Sequence, residues 1–350
     1  MNGTNTLARW TDNLPERAEI FPHSLNLIND NVLLVELSAD EIRAASFLDQ
    51  RVLQQTSNGS WIAWRPIADI FNQAPAGNPV SFIFHVGHCG STLLSRLLQL
   101  LDGTQSLREP LPLRTLAQEF ADTGEGRSFL AHDSQLERLQ VLSKMWSRGA
   151  SHTVIKATSV CTDLLPAIHS VVPGSRFVFV FNRPETHIAT LLAGENALQD
   201  LRGFAQIRLQ RLRQATGIKL LLHQLNPGQL AALSWLSETV SATRSLEAHA
   251  GDILPLEFEA FIGKPAETLT TTASFLGIAA DEGTIESAVQ SDVLRTYSKA
   301  PEHEYNANTR AAILANSRSE FSKEIRAAMT WLGELSTESE LIAASLEQFG

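Results

Sequence analysis

The hydrophobic pattern changes character at about Val80. Beyond it, short apolar runs alternate with longer stretches in which apolar residues recur every three or four positions. Residues 80–86, 105–108, 153–157, 176–181 and 253–257 are the strand candidates, the second of them the most polar, and stretches such as 135–148 and 229–249 predict helices. FVFVF at 177–181 has no polar face. A strand of that kind needs cover on both sides, which a parallel sheet between helix layers provides. The expected fold class is α/β, a parallel sheet flanked by helices. Ligands on such sheets bind beyond the carboxyl ends of the strands. Residues 87–92, Glu109, Lys156 with Thr158, and Asn182 with Arg183 all fall at such ends.

The first 75 or so residues read as a small separate α/β unit, with the larger domain at 76–350. NVLLVELS at 31–38 and SWIAWRP at 60–66 predict strands. Residues 38–50 predict a helix, opened by Ser38 with Glu41 three positions on, a capping-box spacing. Trp61 and Trp64 are expected in the core of this unit. NQAPAGNP at 72–79 reads as a Pro/Gly linker.

Composition narrows the function classes. Of 350 residues, 43% are hydrophobic and 19% charged, ample for a buried core. A net charge of −10 argues against a broad nucleic-acid surface but leaves room for a small basic pocket. The two cysteines, Cys89 and Cys161, form no C-x-x-C pair, so neither a disulfide framework nor a structural zinc is expected, and a reducing compartment fits. The first twenty residues lack the apolar stretch of a secretion signal, and no run nears the ~18 apolar residues of a membrane span. A cytoplasmic protein without membrane partners is the expectation.

The stretch SFIFHVGHCGSTLLSRLL, from Ser81, predicts a strand that turns through glycines into a helix. Such a turn places backbone amides and a helix N-terminus around an anion. It is not an ordinary nucleotide-triphosphate loop. If Gly90 is the second glycine of G-x-x-x-x-G-K-[ST], the first glycine is replaced by His85 and the lysine by Ser91. Gly90, Ser91 and Thr92 still suit an anion cradle. Two other readings are open: a glycine turn that only packs helix on sheet, and a nucleophile elbow centred on Cys89 with His303 as a partner. The elbow wants glycine at 91, where serine stands. His85, His88 and Cys89 lack a further cluster that would make a metal site.

These residues resemble the sulfotransferases. HVGHCGSTLL is similar to their 5′-phosphosulfate loop, P-[KR]-S-G-T-T, with Gly87 at the proline, His88 at the Lys/Arg, Cys89 at the serine, and Gly90, Ser91 and Thr92 at G-T-T. VIKATSV resembles the segment that carries a lysine and, two residues on, a catalytic histidine; Lys156 matches the lysine, and Thr158 replaces the histidine. SRFVFVFNRPETHIATLL resembles the 3′-phosphate strand and helix, with Asn182 at the arginine position, Arg183 one residue late, and Thr190 in place of serine. Residues 253–278 resemble a late acidic segment, with Glu259 as its acid, more suited to a structural than a catalytic role. The likeness covers roughly 80–278. Arg295, Lys299 and Arg310 stand near where the family completes its 3′-phosphate site.

The resemblance implies transfer of a sulfuryl group from 3′-phosphoadenosine 5′-phosphosulfate (PAPS) to a hydroxyl or amine of a small acceptor. It implies cofactor contacts from Gly87, His88, Cys89, Gly90, Ser91, Thr92, Arg183 and Thr190, and catalytic roles for His88, Glu109 and Lys156. Positioning and charge stabilisation dominate such chemistry. His88 is shorter than lysine and, at its ordinary pKa of about 6.5, mostly neutral at pH 7. Lys156 then supplies the lasting charge. Glu109 is the first choice of base, with His85 and His88 in reserve; the alternative for Glu109 is a charge at a helix N-terminus near Pro110. No metal is implied. The competing functions are a Cys89 hydrolase, a magnesium-nucleotide phosphotransferase, and an inactive scaffold of the same fold.

Overall fold

The computed structural model describes the chain apart from residues 1–2, 55–57, 195–196, 295, 298–299 and 305–306; of residues 3–6, 54, 296–297, 300–304 and 307–308 it describes the backbone. Arg295, Lys299 and the side chain of His303 lie outside the described residues.

The N-terminal unit is a three-stranded antiparallel sheet of β1 (Ile20–Asn26), β2 (Asn31–Glu36) and β3 (Gly59–Ala63), with β2 central. The sequence reading missed β1. Its IFPHSLN breaks alternation at Pro22, His23 and Ser24, where the pairing register slips, yet His23 is fully buried. The capping box of Ser38 and Glu41 is present, but its helix spans only Ala39–Ala44. The strand expected at 60–66 stops at Ala63, because Trp64–Gln73 is helical with Pro66 in its first turn, where proline's missing N–H costs nothing. One core expectation fails. Trp64 is 3% exposed, but Trp61 is 47% exposed, since Ile62 next to it takes the inward face of β3.

The larger sheet has five strands: β4 (Val80–His85), β5 (Thr104–Arg108), β6 (His152–Lys156), β7 (Phe177–Phe181) and β8 (Ile253–Glu257). All pair in parallel, in the spatial order β5-β6-β4-β7-β8. The five strands lie within one residue of their predicted bounds. Phe82, Phe84 and Phe177 stack on one face with centroids 5.8–6.1 Å apart. Helices cover both faces, the longest being Pro227–His249, capped by a reciprocal Asn226–Gln229 pair. This is the expected α/β architecture. Among the described residues no helix is long and apolar enough to cross a membrane.

Two arginines, one at the end of a strand of the large sheet and one in the turn Ser147–Gly149, join the small unit to the rest of the chain. Arg108, at the end of β5, donates to the carbonyls of Ala45 (2.8 Å) and Arg43 (2.7 Å) and to Gln99 Oε1 (2.8 Å). Burial, then nearby Arg96, pushes its pKa down to about 10. Arg148 donates to the carbonyls of Leu14, Arg17 and Ile20. This docking brings Phe47 and Arg51 of the N-terminal unit to the carboxyl edge of the sheet.

Candidate anion-binding site at the carboxyl edge of the sheet

The chain leaves β4 through a turn with three left-handed residues: Gly87 (φ 91°), His88 (φ 51°) and Gly90 (φ 73°). His85 fixes its start. The Gly87 amide donates to His85 Nδ1 (2.9 Å), so the ring proton sits on Nε2, which donates to the Ala157 carbonyl (2.9 Å). Both ring nitrogens are thus engaged in tying β4 to β6, which removes His85 from the reserve bases and from metal ligation. His88 holds a strained conformation for a residue with a Cβ. Its carbonyl accepts from Asn182 Nδ2 (3.3 Å), and Trp235 Nε1 donates to the Asn182 carbonyl (2.9 Å). Asn182 is therefore a buried strut for the turn. Gly90 is obligatory for a second reason: a Cβ there would stand 1.9 Å from Phe258 Cε2. The helix Ser91–Leu98 follows, and its first amides have no acceptor within the helix.

The turn forms one wall of a cavity of about 520 Å³, in the size range of small-ligand sites. Gly87, His88, Cys89, Gly90, Ser91 and Thr92 all line it, as do Glu109, Lys156, Thr158 and Ser159. Glu109 has φ 57° and its amide continues the ladder to the Lys156 carbonyl (2.7 Å). That left-handed step turns its carboxylate onto Lys156 Nζ. Thr158 Oγ1 donates to the other carboxylate oxygen (3.4 Å). The Lys156 side chain is 1% exposed and also stands 5.6 Å from the centroid of the Phe47 ring. A lysine this buried needs such partners. The next helix begins at Leu111 with Pro110 as its N-cap, so Glu109 stands one residue before that cap while its carboxylate is engaged by Lys156 and Thr158.

Other expected residues are placed elsewhere. Arg183 caps the helix Pro184–Leu192 with its side chain 63% exposed and paired to Glu257 (2.9 Å). Thr190 Oγ1 donates to the Thr186 carbonyl (2.7 Å). Neither lines the cavity. Glu259 is a structural acid, paired with Arg310 (2.6 Å), whose guanidinium lies 5.0 Å from the Phe258 ring that covers Gly90. Cys89 is fully buried and its thiol donates to the Val180 carbonyl (3.1 Å). An elbow nucleophile has to present its thiol to the substrate, and this thiol is committed to the Val180 carbonyl, which counts against a Cys89 hydrolase.

The sequence reading missed Arg208, Asp200, Ser234 and the pair Phe47 and Arg51, all of which line the cavity. Arg208 sits on the helix Ala205–Thr216 and is buried. Its signal was present: in AQIRLQRLRQAT, Arg208 and Arg211 are three apart, interleaved with Leu209 and Leu212 on the inward side. Next to them His187 is fully buried, its Nε2 on Ser234 Oγ (3.0 Å). Burial, then His88 and Arg208, holds its pKa well below the ordinary value.

No protein-family profile and no curated protein matches the chain. Among solved structures it is similar to the sulfotransferase domain from the curacin biosynthetic pathway, at 15% identity over 71% of this chain and 99% of that one, with a TM-score of 0.43. It is similar to a mouse sulfotransferase complexed with PAP, at 12% identity over 81% and 93%, with a TM-score of 0.45. A sulfotransferase from Mycobacterium avium gives 11% identity over 92% and 98%, with a TM-score of 0.43. Likeness at this level assigns no activity.

Proposed function

We propose that this protein transfers a sulfuryl group from PAPS to a hydroxyl or amine of a small acceptor. The observation that carries the reading is the cavity itself, in which a glycine turn and helix N-terminus face a buried Lys156 paired with a half-buried Glu109. Adenosine 3′,5′-bisphosphate is the leaving group, and PAPS supplies the sulfuryl group as donor substrate. The first amides of the helix Ser91–Leu98, with the hydroxyls of Ser91 and Thr92, hold the anionic oxygens. His88, on the same wall, is positioned to donate to them.

As the sulfur–oxygen bond of the donor breaks, negative charge grows on the departing phosphate oxygen. Lys156 stabilises that charge best because it is fixed beforehand in a dry site. Glu109 takes the proton of the attacking acceptor hydroxyl or amine. Lys156 keeps Glu109 oriented, and Thr158 holds its second oxygen. Arg183 and Thr190 reach the 3′-phosphate only if the nucleotide extends past the cavity rim.

Calorimetric titration with adenosine 3′,5′-bisphosphate and with ATP plus magnesium tests the reading. Preference for the bisphosphate is expected. Preference for ATP, or binding of neither, overturns it. Arg183→Ala and Thr190→Ala in the same titration report whether the nucleotide extends to them.

A further inference from the structure

Resting on the reading of this cavity as a nucleotide site, we infer that Arg208 is an anion-binding residue whose guanidinium closes on the same phosphate or sulfate oxygens that the turn's amides face. Arg208 and Arg211 stand three residues apart on one helix and are equally buried. Both Nη atoms of Arg211 are matched: Glu238 accepts at 3.0 and 3.3 Å, the Val160 carbonyl at 2.9 Å and Ser241 Oγ at 2.8 Å. Arg208 is treated differently. Its Nε and Nη1 are buried without a hydrogen-bond partner, and Nη2 has only Ser159 Oγ at 3.5 Å and the half-exposed Asp200 carboxylate at 3.6 Å.

A guanidinium offers five donors and is costly to bury unmatched. The other two long cations on the cavity wall are already matched, Lys156 by Glu109 and Arg51 by Asp49 (2.8 Å). Among the described lysines and arginines of that wall, Arg208 is the one whose side chain has buried nitrogens without a hydrogen-bond partner. Its position is right for an anion at the turn. Ser159, which Arg208 touches, lies 3.7 Å from where a Cβ on Gly87 would stand. Arg208 and His88 both lie close enough to influence His187, which places the two side chains around one region. A planar fork suits two oxygens of one phosphate or sulfate. Asp200 is the carboxylate that gives way.

The test uses the full chain with Arg208→Gln and Arg208→Lys, first with pyrophosphate and then with nucleotides. Pyrophosphate is expected to raise the melting temperature of the unaltered protein and not that of Arg208→Gln, with Arg208→Lys in between. Equal stabilisation of all three, or of none, overturns the inference. Nucleotides then locate the anion. Adenosine 3′,5′-bisphosphate is expected to bind Arg208→Gln about 10- to 100-fold more weakly, the scale of a lost charged hydrogen bond, while adenosine 3′-monophosphate is unaffected. Equal weakening of both nucleotides marks Arg208 as structural and overturns the inference. Arginine-dependent pyrophosphate binding without any nucleotide binding leaves the anion site standing and removes the sulfuryl-transfer reading.

Discussion

Glu109 and Lys156 meet twice at the carboxyl edge of the sheet: the Glu109 amide donates to the Lys156 carbonyl at 2.7 Å, and the Lys156 ammonium donates to the Glu109 carboxylate. The backbone bond fixes the register of β5 on β6, and that register decides the side-chain pair. Two residues 47 apart in sequence are therefore held together as one ion pair with little freedom to separate.

Removing one member of this pair costs more than removing both. Glu109→Gln leaves a buried ammonium facing a neutral amide and is expected to lower stability by about 2 kcal/mol. Lys156→Met added to it is expected to restore most of the loss. Turnover, read as release of adenosine 3′,5′-bisphosphate from PAPS, falls at least about 100-fold in either variant. Denaturant titration of the two single variants and the double variant checks the stability part. Additive losses contradict it.

Gly90 and Gly87 differ in what a methyl group would meet. Gly87→Ala meets only an ordinary contact at Ser159, so φ strain alone costs about 1 kcal/mol. Gly90→Ala adds a clash with the Phe258 ring and is expected to cost about 2–4 kcal/mol. Phe258→Ala in the Gly90→Ala background is expected to recover part of that difference. Melting temperatures rank the variants, and equal effects at the two glycines contradict the packing argument.

Neither thiol is expected to react in the folded chain. Cys89 is buried on the Val180 carbonyl. Burial, then Glu238, pushes the Cys161 thiol up to about 12. Titration with a disulfide reagent is expected to report no fast thiol until denaturant is added, and Cys89→Ala keeps nucleotide binding. Rapid labelling of Cys89, with loss of turnover, reopens the hydrolase.

Stability is expected to fall as the pH drops below about 6.5, the ordinary value for histidine. His187, His23 and His152 all have pKa values lowered by burial. The unfolded chain therefore takes up protons near pH 6.5 that the folded chain refuses, and the loss ends only at the lower folded values. His187→Gln removes one of these contributions. It reduces the slope between about pH 6 and pH 5 by up to about 1.4 kcal/mol per pH unit. An unchanged slope, measured by denaturant titration at each pH, refutes this.

The hydrophobic pattern by itself determined the inner strands β4 and β7, because a strand buried on both faces leaves a largely apolar run, whereas the edge strands β5 and β8 carry more polar or half-buried positions. It also determined that residues 87–92, Glu109 and Lys156 share a site, since the carboxyl ends of parallel neighbours gather at one edge whatever packs around them. Only the tertiary structure decided the rest. Asn182 became a strut and Arg183 a surface ion pair because one residue of offset past the end of β7 reverses which side chain turns inward. Arg208 and Phe47 reached the cavity through the docking of a helix and of the N-terminal unit. Docking is set by the fit of whole surfaces, which no local spacing encodes.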